Sequence, residues 1–96
     1  MNKLTLSGVV IGLEPIRTTP AGLPLLSFVI NHVSEVIEAG LKRKIECEIH
    51  AVAIGDCAKS NIQLGANINV AGFLAKRSAK SSQLVLHIIK IEILGV

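Results

Sequence analysis

Along most of this chain apolar and polar side chains alternate, the period of a β-strand with one buried face. Leu4, Leu6 and Val10 alternate with Lys3, Thr5 and Ser7. This predicts a first strand over residues 3–13, with Gly8 inside it marking a bulge or sharp bend. Residues 14–22 hold two prolines and a glycine and read as a long turn. Leu26, Phe28 and Ile30 set the inner face of a second strand against Ser27 and Asn31. Residues 34–40 read as an excursion between strands, with Glu35 and Glu38 solvated. In a third strand Ile45, Cys47 and Ile49 oppose Lys44, Glu46, Glu48 and His50, and Cys47 reads as small core filler. Residues 56–64 predict one or two helical turns capped by Asp56 and stopped by Gly65. Ile68, Val70 and Leu74 mark a fourth strand, and a polar run over 76–82 separates it from a fifth over 83–94. In that last strand Leu84, Leu86 and Ile88 hold one phase while Ile89, Ile91 and Ile93 hold the other. Such a switch signals a bulge or a strand apolar on both faces, and either suits a strand that also meets another subunit.

Three strands, a short helix and two strands is the order of the OB-fold. The expected class is therefore all-β, a five-stranded Greek-key barrel with one short helix between strands 3 and 4. A β-sandwich would need about seven strands. A chain of 96 residues holds one core, so a single OB-fold domain spanning 1–96 is expected. Half the residues are hydrophobic, yet Phe28 and Phe73 are the only aromatics; the core must be aliphatic. So high an apolar fraction in a short chain points to self-association. No apolar stretch reaches the roughly 18–20 residues that span a membrane. Two cysteines make no disulfide framework, and the first residues lack signal-peptide character. A cytoplasmic setting away from the membrane is expected.

Candidate chemistry narrows the picture. Cys47, His50 and Cys57, with His32 or His87, do not have the spacing of a structural zinc site. Moreover, Cys47 and His50 lie three apart on a strand and point to opposite faces. No metal or cofactor is expected. Ser, His and Asp occur without a nucleophile elbow or a phosphate-binding loop. Glu46 and Glu48 share a strand face about 6.5–7 Å apart, which is equally the pattern of a solvated face. No catalytic residues, and no enzyme, are expected. The net charge is +3, from ten Lys/Arg against seven Asp/Glu, which permits an anionic partner. Its placement says more. Arg17 lies between strands one and two, Lys42, Arg43 and Lys44 open strand three, and Lys76, Arg77 and Lys80 sit between strands four and five. Those are the places where OB barrels contact single-stranded nucleic acid. Phe28 is patterned inward, which leaves Phe73, out of phase with Ile68, Val70 and Leu74, as the one candidate stacking platform. Stacking contributes about 1–3 kcal/mol per base; with so little of it, binding would rest on phosphate charge and depend strongly on salt.

The segments from Asn2 to Gly8, Pro15-Ile16-Arg17, Pro20-Ala21-Gly22-Leu23-Pro24, Phe28 to His32, Gly72-Phe73-Leu74 and Val85-Leu86-His87 resemble the PriB (primosomal replication protein N) family, within the single-stranded DNA-binding protein superfamily. The resemblance runs nearly end to end. It implies a homodimer of OB folds that binds single-stranded DNA and assists the PriA helicase, with DnaT as a further partner, in restarting stalled replication forks. By position it puts Arg17, Lys42, Arg43, Lys76, Arg77 and Lys80 on the DNA surface. Leu41 and Glu46 stand where strongly binding members carry aromatics, so weaker and more electrostatic binding is expected here. Two rival readings are a general single-stranded DNA-binding protein and a protein–protein adaptor with weak DNA binding.

Overall fold

The computed structural model describes residues 1–95. Its strands are β1 (Leu4–Leu13), β2 (Arg17–Thr18), β3 (Pro24–Glu38), β4 (Leu41–Ile54), β5 (Asn67–Lys76) and β6 (Leu84–Gly95), with one 3-10 turn at Gly55–Lys59. The five long strands close into a barrel in the order β1-β5-β6-β4-β3, with β3 returning to β1. All pairings are antiparallel except β4 with β6. This is the expected Greek-key OB architecture. Among the described residues no helix is long and apolar enough to cross a membrane.

Closure depends on β1 serving two neighbours. Leu4 to Val9 pair with β5, and Val9 to Leu13 pair with β3. The register with β3 slips between Val10 and Gly12, so Ile11 is an extra residue that bends the strand. Gly8 lies at this handover. A Cβ there would come within 2.5 Å of the Asn31 carbonyl oxygen and of Ile30 Cγ2, so only glycine admits the crossing strand. The phase switch foreseen in the last strand is a bulge of the same kind. Ala71 pairs with Lys90 and Gly72 with Ile88, which leaves Ile89 as the extra residue. Leu86 and Ile88 are buried before it, and Ile91 packs on the core after it.

The core is aliphatic apart from Phe28: Val10, Leu26, Ile30, Ile68, Val70, Leu86 and Ile88 are all buried. Ala58 of the 3-10 turn and Ile62 beyond it are buried in the same cluster and plug one end of the barrel. The return to β1 is held by Val10 N–H donating to the Ala66 carbonyl at 3.0 Å and Gly65 N–H donating to that of Val10 at 2.8 Å.

Four expectations are corrected. Residues 34–40 are no excursion. β3 and β4 run on as one hairpin, paired from Leu25–Ile54 out to Glu38–Leu41, and turn at Ala39 (φ 52°) and Gly40 (φ 79°). Two successive positive φ values make the tight turn whose twist matches a hairpin. The helix expected over 56–64 is only the 3-10 turn; its cap position is Ile54, with no side-chain capping bond, rather than Asp56. The long turn over 14–22 holds the short strand β2, pairing Arg17 with Leu25 and Thr18 with Pro24. Cys47 keeps the inward phase but lies on the outer part of the hairpin, beyond the barrel, and is exposed.

Gly8→Ala is expected to lower unfolding free energy by about 1–3 kcal/mol through overpacking at the β1–β3 crossing. Ile16→Ala, at an exposed site, should leave the urea midpoint unchanged.

Candidate nucleic-acid interface

Residues that alternate with the core face outward, and on four neighbouring strands they fall into one row. Ser27 of β3 pairs with Val52 of β4, Val52 with His87 of β6, and His87 with Phe73 of β5. The next rung pairs Val29 with His50. Above this sheet face lies an open groove of about 600 Å³. Ser27, Val29, His50, Val52, Val85 and His87 belong to its floor, and Glu14, Arg17 and Arg77 come from the flanking loops.

Arg17 is aimed by the short β2–β3 pairing, and its guanidinium lies 3.5 Å from Ser27 Oγ. Arg77 begins the β5–β6 connection. Its backbone N–H donates to the Gln83 carbonyl at 2.9 Å, and its side chain donates to Gln83 Oε1 at 3.3 Å. That loop is tightened further by Ser81 N–H donating to the Ser78 carbonyl at 3.1 Å. Phe73 and His87 stack nearly parallel, with ring centroids 5.0 Å apart and planes inclined by 12°. Phe73 does face outward, half exposed, but one ring face is covered by imidazole.

The other basic residues are placed differently. Lys80 lies exposed in the loop that Arg77 opens. Lys76 falls in the phase of Ile68 and Val70, opposite to Phe73. Lys42, Arg43 and Lys44 do open the third long strand, but beside the turn at the far end of the β3–β4 arm, about 20 Å along the strand from His50 for Lys44. Alternation splits them. Lys42 and Lys44 share the groove's face, paired with Ile37 and Glu35, and Arg43 is on the other. Arg43 forms an ion pair with Glu38, both side chains exposed. Glu46 and Glu48 follow Lys44 on the groove side, with Asn31 Nδ2 donating to Glu46 Oε2 at 3.4 Å. The arm is therefore close to charge-balanced, and the loops around the groove are not.

A family model described as another single-strand binding protein family matches residues 2–90. The replication restart protein PriB of Nitrosomonas europaea is 42% identical over 89 residues, covering 91% of this chain and 82% of that protein. PriB of Bordetella pertussis is 44% identical over 90 residues, covering 92% and 84%. The chain belongs to the PriB family of single-strand binding proteins. The crystal structure of PriB from Ralstonia solanacearum superposes with a TM-score of 0.86 at 32% identity, covering 98% of each chain. The single-stranded DNA-binding protein of Thermus aquaticus shares the fold, with a TM-score of 0.78 at 21% identity, and this chain spans 50% of it.

On this PriB-family barrel His50 and His87, which the sequence offers only as metal-ligand candidates, line the groove. The signal was present: His50 alternates with Ala51 and Ala53, and His87 is flanked by Leu86 and Ile88, so both face outward. The stacked pair has a direct check. In a Phe73→Leu variant the imidazole proton resonances of His87 should move downfield as the ring current is lost, with those of His32 unmoved.

Proposed function

We propose that this chain binds single-stranded DNA along the groove between the β1–β3 and β5–β6 connections. In that role it serves replication restart as a homodimer of one-domain chains in the cytoplasm, assisting the PriA helicase together with DnaT, with no catalytic step and no cofactor of its own. The observation that carries this reading is the convergence of Arg17 and Arg77 from two separate loops on one outward sheet face that bears the Phe73–His87 stack. Guanidinium groups suit phosphate because they donate in a planar fork, and the aliphatic floor at Val29 and Val52 with the stacked pair offers surface to bases. The PriB relatives are named for replication restart, which gives the DNA contact its setting.

The proposed DNA surface then has two tiers. Arg17 and Arg77 border the groove and, with Lys80 in the loop that Arg77 opens and Phe73 stacked on the groove residue His87, carry most of the affinity. Lys42, Lys44 and Lys76 lie outside it and engage only a longer strand, and Arg43, held by Glu38, contributes least. The adaptor reading keeps a specific observation in its favour. Val33, Val36, Ile37 and Leu41 are exposed along the arm, Ile37 and Leu41 at 72% and 69%, and apolar side chains so placed suit a protein partner.

Fluorescence anisotropy with a labelled oligonucleotide across a salt series tests both. Replacing Arg17 and Arg77 by Glu should weaken binding more than tenfold. The slope of log affinity against log salt should become shallower by about 0.7 for each lost phosphate contact, whereas Arg43→Glu should change affinity less than threefold. Phe73→Ala should cost about 1–3 kcal/mol if a base stacks there. Unchanged binding in the Arg17/Arg77 variant would remove the groove from the reading. Retained DNA binding with helicase association lost in Ile37→Ser/Leu41→Ser would establish the arm as the protein-binding element.

A further inference from the structure

The three histidines of this chain sit in two kinds of environment. His32 is fully engaged, with Nδ1 at 2.7 Å from the Ser7 carbonyl oxygen and Nε2 at 2.8 Å from Ser34 Oγ. His50 and His87 both line the groove, and among the described residues neither ring makes a hydrogen bond to protein. The pairings put them close together. His87 is registered with Val52, and His50 lies two residues before Val52 on the same face of β4, a separation of about 8 Å between Cα positions by strand geometry. His50 is exposed and His87 half-buried against Phe73.

We propose that His50 and His87 are DNA-contacting residues of the groove that bind backbone phosphate in their protonated form, so that single-strand binding is coupled to proton uptake. The inference rests on the groove being the DNA site. Proton and DNA are linked ligands of one site. Imidazole is the side chain that changes charge between pH 5 and 8. In the free protein the charges around the two rings are mixed. Arg17 and Arg77 stand in the flanking loops and Lys90 farther along β6, with Glu14 beside Arg17's loop and Glu48 next on the same face of β4. A bound strand brings phosphates into the same groove, neutralises the arginines and favours the imidazolium form. Whatever favours the proton when DNA is bound must favour DNA when the proton is bound, by the same factor. For His87 the proton has a second effect, because an imidazolium lying on the Phe73 ring gains a cation–π attraction and keeps the stack in place while it donates to phosphate. A phosphate within contact range stabilises an imidazolium by roughly one pKa unit, so each histidine should strengthen binding by up to about tenfold on acidification.

The test uses oligothymidylate, whose bases and phosphodiesters do not titrate in this range, labelled with a pH-insensitive rhodamine and held at constant ionic strength. The full chain should bind about 10- to 100-fold more tightly at pH 5.5 than at pH 8.0, and the double variant His50→Gln/His87→Gln should vary less than threefold across the same range. At pH 5.5 the salt dependence of the double variant should be shallower than that of the parent chain by about 0.7 per histidine. A proton NMR titration, which needs no substitution, should show the His50 and His87 imidazole signals staying in their charged positions to higher pH when oligothymidylate is bound, with the His32 signals moving equally with and without it. Binding at pH 8.0 with a flat pH profile overturns the inference and leaves the groove assignment standing. So does a pH profile that survives in the double variant. Absence of binding at every pH and salt overturns the groove assignment and the inference together.

Discussion

The fold depends on one backbone approach: β1 must touch β5 with its first half and β3 with its second. A flat strand would hold these two neighbours on opposite sides of one open sheet, so closing the ring requires β1 to bend. Gly8, which leaves room for the Asn31 carbonyl and the Ile30 side chain, and the extra residue Ile11 provide the turn. The barrel repeats the device on its other side, where Gly72 faces the Ile89 bulge and a Cβ on Gly72 would overlap the His87 carbonyl. At each corner a glycine admits a neighbouring backbone and a bulge restores the inward phase. That is how an almost entirely aliphatic core seals without large aromatic rings to span it.

The same geometry makes the outward face usable. The Ile89 bulge lets Leu86 and Ile88 stay inside before it and Ile91 after it, so His87 is held outward in register with Phe73. The β4–β6 pairing is parallel and confined to Ala51–Ala53 against Leu86–Ile88. It brings His50 and Val52 beside His87 and completes a continuous surface of four strands. Site and core are thus two faces of one register. A slip of one residue would turn His87 inward and Leu86 outward, which couples the chemistry of the groove to correct closure of the barrel.

Much of this was legible in the chain. Alternation at Leu26-Phe28-Ile30 and at Ile68-Val70 marked real core strands, and the phase switch near Ile88 and Ile89 marked a real bulge, because periodicity reports burial directly. The arm escaped notice for a physical reason. Beyond the barrel neither face of residues 33–46 is buried, so nothing enforces alternation, and Ala39 at a positive φ hides the usual Asn-Gly turn signal. Cys47 was misplaced by the same cause, since phase gives the side a residue faces and not whether anything covers it. The helical turns over 56–64 shrank because Gly55 (φ 81°) and Asn61 (φ 57°) interrupt the chain on either side. In the groove Arg17 and Arg77 were legible from loop position. For His50 and His87 alternation shows the outward face, but their meeting in one row across four strands requires the pairings.

The distribution of charge separates the two extended surfaces. Along the arm two of the three cations have acidic company: Lys44 pairs across the hairpin with Glu35, Arg43 is bound to Glu38, and Glu46 and Glu48 continue the groove-side face. A phosphate approaching there meets a field that nearly cancels within the roughly 8–10 Å over which salt leaves it effective. Around the groove Arg17 and Arg77 face only Glu14 among the lining carboxylates, and Lys80 is in the same loop as Arg77. The arm's exposed surface is instead apolar at its tip, where Ile37 and Leu41 bracket the turn. Coulomb attraction therefore favours the groove for the polyanion, and the hydrophobic effect favours the arm for a protein surface. On that division one small barrel can hold a strand on its sheet face and present the hairpin to a partner, with neither contact excluding the other.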